Sequence, residues 1–426
     1  MGRGCCGESA KKRLAGRPVV LLRKYLSMHI LLIFNRYQQR GGEDSVYVAE
    51  RALLLQHGHT VTDFLEDNSA IPSMNPLALA GRAIWSRSSH RRISRIIQDK
   101  RPDVAYCINT FPLISPSVYY ACKEQSIPVI QGLHNYRILC PSADFFRAGR
   151  VCQDCLGRIP PWPGVVHKCY HRSRAQTAVV ATMITVHRCL QTWERMVDGY
   201  IAPTEFLRNK YIEGGFPAEK IFVKPNFVPS DPGRRKGAGE YAVYAGRLSP
   251  EKGIRTLMES CGQTPNLPFK ILGTGPLEPE IRSIIQKFQL KNIELLGRVS
   301  QSQVISILKS ARFLVFPSEC YESFGLAIVE AFACGVPVIA SRLGAMAELV
   351  SDERTGLLFT PGDPDDLAAK MEWAWNHPKE IARMGSESRR EYENKYTADE
   401  NYKNLISIIN QAINKNVGEP NNGLSA

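Results

Sequence analysis

At roughly 100–200 residues per domain, 426 residues make about two to four domains. Hydrophobic residues at 44% and charged residues at 22% exclude a wholly disordered chain, and scattered Gly and Pro exclude a collagen-like one. The net charge of +13 is unevenly placed: residues 1–27 carry +6, residues 28–229 carry +8 and residues 230–426 carry −1, so the basic surplus of the N-terminal half points to a polyanionic partner.

Residues 1–27 (MGRGCCGESAKKRLAGRPVVLLRKYLS) read as a basic, disordered extension rather than part of a fold. Its apolar stretch is too short and too charged for a signal peptide, and Met-Gly-Arg-Gly-Cys-Cys lacks the Ser/Thr of a myristoylation motif. Acylation of Cys5 or Cys6 stays open, beside an upstream extension or a mis-set start codon. From Met28 strand and helix patterns alternate. The run His29–Phe34 is a strand, Gly41–Gly42 a turn, and Glu43–His57 a helix closed by Gly58. Further strands are expected at Val61–Leu65, Val104–Ile108 and Ile127–Leu133. No apolar run approaches the ~18 residues of a spanning helix.

The second half repeats the alternation. Strands are expected at Tyr241–Ala245, Phe269–Leu272, Ile293–Leu296, Phe313–Phe316 and Pro337–Ala340, with helices near 252–261, 278–289, 301–310 and 325–334. The Pro/Gly/basic stretch Val228–Gly239 divides the halves. The fold class is therefore α/β, with two Rossmann-like doubly wound domains facing a central cleft and C-terminal helices bracing both. The expected boundaries are 28–228 for the first domain, with a Cys-rich insert at about 140–170, 229–385 for the second, and 386–426 for a helical tail packing back on the first.

Several residues suit an anionic ligand at the cleft. The stretch ECYESFGLAIVEAFACGVPVIA follows a strand and opens a helix near Phe324, whose first N–H groups and dipole make a phosphate site. Glu322 stands before that helix and Glu330 within it; a helix-end charge and a solvated face are the plainer reading of each. In VYAGRLSPEKG, Arg247 and Lys252 suit a diphosphate, although isolated surface ion pairs look the same. The turn LGTGP places Gly273 at the same sheet edge.

Together AGRLSPEKG, LGTGP, ECYESFGLAIVEAFACGVPVIAS and TGLLFTPGDPDDLA resemble the donor-binding domain of the family 4 retaining glycosyltransferases, which have the GT-B fold. The segment HILLIFNRYQQRGGEDSVYVAERALLLQHGHTVTDF is similar to their first strand, Gly-Gly loop and helix, so the resemblance spans about residues 28–410. It implies a nucleotide-sugar donor and a glycan or lipid-linked acceptor, in cell-surface polysaccharide or glycolipid assembly. It further implies that Arg247 and Lys252 neutralise the diphosphate, and that Glu322, with Ser323, Phe324, Gly325 and Leu326, holds the donor sugar. Glu330 would bind the ribose, Gly41 and Gly42 would let the backbone approach the donor, and His134 would lie beside the sugar. Glu322 and His134 are the implied catalytic pair. The donor chemistry would need no cofactor, and the location would be cytoplasmic or peripheral on the cytoplasmic membrane face. One departure is RLGAMAELV after Ser341, where many relatives have a second glycine and a proline.

Two features stand outside this pattern. Cys140, Cys152, Cys155 and Cys169 are spaced C-x11-C-x2-C-x13-C, which suits structural zinc; disulfides or free thiols fit the same spacing. The stretch Leu77–Arg101 reads as a basic amphipathic helix, either resting on an anionic membrane or core-packed with a solvated basic face. A nucleic-acid partner is not expected, because no groove-reading motif accompanies the charge. An epimerase or a phosphorylase would share the fold, but no lysine marks a pyridoxal site.

Overall fold

The structure is a computed structural model that describes residues 27–38 and 41–418. The basic extension, with Cys5 and Cys6, lies outside the described residues.

The first domain contains β1 (His29–Arg36), α1 (Gly42–Gln56), β2 (Thr60–Asp67), α2 (Pro76–Ile84), α3 (Arg87–Lys100), β3 (Val104–Asn109), α4 (Ser117–Lys123) and β4 (Val129–Gly132). An insert holds β5 (Phe146–Arg147), β6 (Arg150–Val151) and α5 (Trp162–Val166). Then come α6 (Arg174–Cys189), α7 (Thr192–Arg195), β7 (Gly199–Ala202), α8 (Glu205–Glu213) and β8 (Ile221–Val223). Six strands form one parallel sheet in the order β2-β1-β3-β4-β7-β8. Residues Ile30–Phe34 of β1 are fully buried, which is why the strand reads as an unbroken apolar run. The strand expected from Ile127 starts at Val129, because Pro128 has no N–H to give the ladder.

The second domain runs β9 (Tyr241–Ala245), α9 (Ile254–Gln263), β10 (Phe269–Leu272), α10 (Glu278–Lys287), β11 (Ile293–Gly297), α11 (Gln301–Ser310), β12 (Ala311–Phe316), α12 (Leu326–Ala333), β13 (Val338–Ser341), α13 (Gly344–Leu349), β14 (Gly356–Phe359), α14 (Pro364–Asn376) and α15 (Pro378–Lys395). Its six strands are also parallel, in the order β11-β10-β9-β12-β13-β14. Asp363 caps α14 by accepting the N–H groups of Asp365 and Asp366, so this acidic cluster is a helix start.

Two expectations need correction. The basic stretch is two helices, not one. Trp85 is extended and ends α2, and Ser86 caps α3, its hydroxyl accepting the Ser89 N–H. Ile93 and Ile97 of α3 are buried in the domain core, and Arg82 and Arg92 both pair with Glu66. Second, the tail divides. α15 stays with the second domain, where Tyr392 and Tyr396 join the core and Arg389 donates to the Ala333 carbonyl. The last helix, α16 (Ala398–Gly418), crosses back, and Leu405, Ile408 and Ile409 pack on Ile30, Leu32 and Phe34 of β1.

The crossing is pinned by a buried ion pair. Lys224, just after β8, donates to Glu50 of α1 at 2.6 Å, and their side chains are 1% and 0% exposed. Lys224 also reaches Asn401 of α16 at 3.3 Å, and the Asn401 amide donates to the Pro225 carbonyl at 2.7 Å. Removing one partner strands a charge without solvent. Lys224→Ala is expected to cost about 3–5 kcal/mol in urea denaturation; a loss under about 1 kcal/mol would mean that Glu50 simply takes up a proton.

Candidate active site

The carboxyl ends of both sheets face a cleft of about 1120 Å³, large enough for two ligands side by side. Two glycines bring the loops around it into contact. Gly253 has φ +65°, and a Cβ there would sit 1.8 Å from the Pro317 carbonyl oxygen. The loop after β9 can therefore touch the loop after β12. Gly273 has φ +125°, and its Cβ would lie 1.9 Å from the Gly246 oxygen, so the turns after β9 and β10 are also in contact.

The first contact brings Lys252 to Glu322. The ammonium donates to Glu322 Oε1 at 2.6 Å, and the Ser318 hydroxyl donates to the same oxygen at 2.5 Å. Burial alone would lower the Lys252 ammonium, but the Glu322 carboxylate carries it well above its usual range. Lys252 is thus a fixed cation at the cleft wall. The Tyr136 hydroxyl of the first domain donates to the Glu322 carbonyl at 3.3 Å, and the Thr204 hydroxyl to that of Ser323 at 3.2 Å. The loop before α12 is held from both domains.

That helix begins at Leu326, two residues beyond the expected opening, with Gly325 at φ +121°. Its first N–H groups have no partner within the helix. Ser323, Phe324, Gly325 and Leu326 all line the cleft, as do Arg247, Gly41, Gly42 and Gly273. Gly42 lies against α12: a Cβ there would be 3.6 Å from Leu326 Cδ1. His134 lines the cleft from the loop after β4. It is 9% exposed, its Nε2 has no hydrogen-bond partner among the described residues, and burial lowers its pKa to about 4. The imidazole is neutral at pH 7. A Cβ on Gly132 would come within 2.7 Å of Nε2, so that strand end needs a glycine.

Comparisons with known proteins bear on the family and the fold. The profile of Glycosyltransferase Family 4 matches residues 26–231, and that of Glycosyl transferases group 1 matches residues 231–391. The chain belongs to the family 4 glycosyltransferases. An uncharacterized glycosyltransferase of Methanocaldococcus jannaschii is 32% identical over 200 residues, covering 47% of this chain and 56% of that one. The O-antigen chain mannosyltransferase C of Escherichia coli is 28% identical over 174 residues, covering 40% and 47%. The chain thus spans about half the length of the curated relatives it matches. Among solved structures, Anabaena HepE in complex with UDP has a TM-score of 0.62 at 19% identity, covering 92% of this chain and 99% of that one. That similarity establishes the two-domain GT-B fold.

Not every expected residue of this family 4 glycosyltransferase meets the cleft. Glu330 lies within α12 and does not line it. Its carboxylate accepts the Gln301 amide at 2.7 Å, and burial pushes it up to about 7. Cys140, Cys152, Cys155 and Cys169 converge instead on a separate small cavity in the insert. As they stand, no three such side chains among the described residues are arranged to hold a metal ion.

The sequence reading passed over other lining residues. Arg298 follows β11 and adds a further cation; a basic residue directly after a strand was the available signal. Glu43, the second residue of α1, also lines the cleft. Its Oε1 accepts the Asn135 amide at 2.7 Å and the Tyr37 hydroxyl at 3.3 Å, while Oε2 is buried without a partner among the described residues. Burial, with a smaller push from Asp44, raises its pKa to about 7; Asn135, Tyr37 and Arg137 act the other way.

The sign of the resulting pH dependence is fixed by the direction of that shift. Between pH 4.5 and about 7 the folded protein keeps a proton on Glu43 that the unfolded chain releases. Stability from this group is complete below pH 4.5 and is lost as pH rises through about 7. Glu43→Gln is expected to flatten the fall of the denaturation midpoint across that window. An unchanged slope, compared with wild type at each pH, would show that the carboxylate is solvated.

Proposed function

We propose that the chain moves a sugar from a nucleotide-sugar to a glycan or lipid-linked acceptor, with retention at the transferred carbon, in cell-surface glycan assembly. The observation that carries this reading is the Lys252–Glu322 pair beside the open N-terminus of α12, with Arg247 and Arg298 lining the same cleft. Cleaving a sugar–phosphate bond leaves negative charge on the diphosphate. Fixed cations and helix N–H groups stabilise that charge without reorganising as it forms. Glu322 has two roles here: it holds Lys252 charged and offers its remaining oxygen to a sugar hydroxyl. Neutral His134 presents an unpartnered nitrogen to the sugar from the opposite domain. For Glu330 to reach the ribose hydroxyls from outside the cleft lining, its carboxylate must give up the Gln301 contact when the nucleotide enters. No group in the cleft is needed as a strong base, since in same-face attack the departing phosphate takes the acceptor proton. The cations already present supply the charge, so this donor chemistry requires no further cofactor.

The names of the relatives support the acceptor class, one being an O-antigen chain mannosyltransferase. HepE was crystallised with UDP, which makes a uridine nucleotide the first donor to test. No helix of the described residues is long and apolar enough to cross a membrane. In this reading the chain works on the cytoplasmic face, where Arg87, Arg91 and Arg95 of α3 and the exposed Leu77 of α2 meet anionic lipid.

Calorimetry against nucleoside diphosphates tests the site. Lys252→Ala and Arg247→Ala are each expected to weaken binding by about 1–3 kcal/mol, and Glu322→Gln to abolish transfer while the protein stays folded. Unchanged affinity in both cation variants would remove the diphosphate from this cleft. A wild-type enzyme that returns the nucleotide-sugar intact but isomerised would replace transfer by epimerisation. Flotation with anionic liposomes should be salt-sensitive and should weaken when Arg87, Arg91 and Arg95 become Ser; flotation unaffected by salt or by those changes would remove the membrane face.

A further inference from the structure

The insert between β4 and α6 has too little structure of its own to hold its shape. Its strands β5 and β6 have two residues each, and α5 has five. Phe145 anchors it in the first-domain core, but Ile159, Trp162 and Val166 are left 54%, 54% and 50% exposed. A segment with so little regular structure is one that a covalent or metal staple stabilises. Yet the insert forms part of the active-site wall. Ala143 and Asp144 line the cleft, and the Gln153 amide donates to the hydroxyl of Tyr321, the neighbour of Glu322, at 2.9 Å.

Four cysteines sit where such a staple would act. Cys140 precedes the hairpin, Cys152 and Cys155 follow it, and Cys169 follows α5, so three separate loop segments each bring sulfur to one small cavity. None of the four is in a disulfide. The backbone already fixes their entry points. The Cys140 N–H donates to the Tyr136 carbonyl at 2.8 Å, that of Cys152 to Phe145 at 2.7 Å and that of Cys169 to Gly164 at 3.0 Å. Gly164 allows close packing here, since a Cβ would be 2.9 Å from Pro141 Cγ and 3.4 Å from Cys155 Sγ. Arg147 lines the same cavity and is paired there with Asp154 at 2.7 Å.

We propose that Cys140, Cys152, Cys155 and Cys169 bind one zinc ion as thiolates, and that this ion fixes the insert against the active-site cleft. The sulfur atoms turn from the partners they have as thiols, Ser142 Oγ for Cys140 at 3.2 Å and the Pro161 carbonyl for Cys155 at 3.8 Å, into the cavity. Four Zn–S bonds of about 2.3 Å replace those weak contacts, and the displaced thiol protons pass to solvent. Four thiolates leave the ion no open position, so its role is structural. A C-x2-C pair with two further cysteines at loop distance is the spacing such sites use.

The test needs no enzyme assay. Full-length protein, purified under reducing conditions and given one equivalent of zinc chloride before desalting, is expected to retain about one zinc per chain. X-ray absorption should show four sulfur neighbours at about 2.3 Å. The four thiols should resist Ellman's reagent until denaturation with a chelator releases the metal, and stripped protein should become sensitive to protease within residues 146–162. Cys155→Ser should lower the retained zinc severalfold; if that variant fails to fold, the absorption spectrum of the wild-type cobalt(II) form replaces it and should show tetrahedral thiolate ligation. No retained zinc with four titrating thiols would overturn the proposal. So would no zinc with thiols missing from the titration, which would mean disulfides, or a metal bound through nitrogen and oxygen.

Discussion

The Lys224–Glu50 pair is the point on which the two-domain arrangement turns. It lies where the chain leaves the first sheet, and Asn401 joins it where the chain returns. Charges this deeply buried tolerate little displacement, because each depends on the other for its solvation. The pair fixes α1 relative to β8, and α1 carries Gly42 and Glu43 into the cleft. It also bears on the imidazole: Glu50 and Lys224 act on His134 with opposite signs, and burial, the largest influence, decides its neutral state. One salt bridge thus links the chain crossing, the first-domain loop and the cleft histidine.

The cleft divides its chemistry between the domains. The second domain brings Arg247, Lys252, Arg298 and open N–H groups, with Glu322 paired to Lys252; the first brings His134, Glu43 and Tyr37, with Arg137 and Asp144 beside them. The loop before α12 belongs to both halves. Its carbonyls accept from Tyr136 and Thr204, and the N–H groups of Glu205 and Phe206 reach across to Glu348 on α13 at 2.9 and 2.8 Å. Closing or opening the cleft must change these contacts before anything else.

Much of this was legible in the sequence, for identifiable reasons. Parallel strands buried on both faces appear as apolar runs, so β9 and β10 fall where Tyr241–Ala245 and Phe269–Leu272 were expected. Lys252 and Glu322 stood out because both follow strand ends in a recognisable pattern. Their ion pair did not, since 70 residues separate them and only the Gly253–Pro317 approach joins them. Glu43 was passed over because a carboxylate in a helix's first turn is ordinary; what distinguishes it is the buried environment contributed by Asn135 and Tyr37. The break at Ser86 was written in its Ser-x-x-Ser spacing, but the continuous basic character of the stretch hid it. The return of a C-terminal helix to the first domain was expected from residue 386, but the division between α15 and α16 was not, because an amphipathic pattern does not say which sheet each helix will cover.

That return has a consequence for how the molecule can be taken apart. The first sheet is covered on one face by a helix encoded about 175 residues after its last strand. A cut in the loop at 229–240 would not yield two self-sufficient halves. The N-terminal piece would expose Ile30, Leu32 and Phe34, and the C-terminal piece would carry a helix with nothing to cover. The two pieces would be complementary fragments, each with an apolar face that the other covers. In the growing chain the first domain likewise stays unfinished until the final residues emerge.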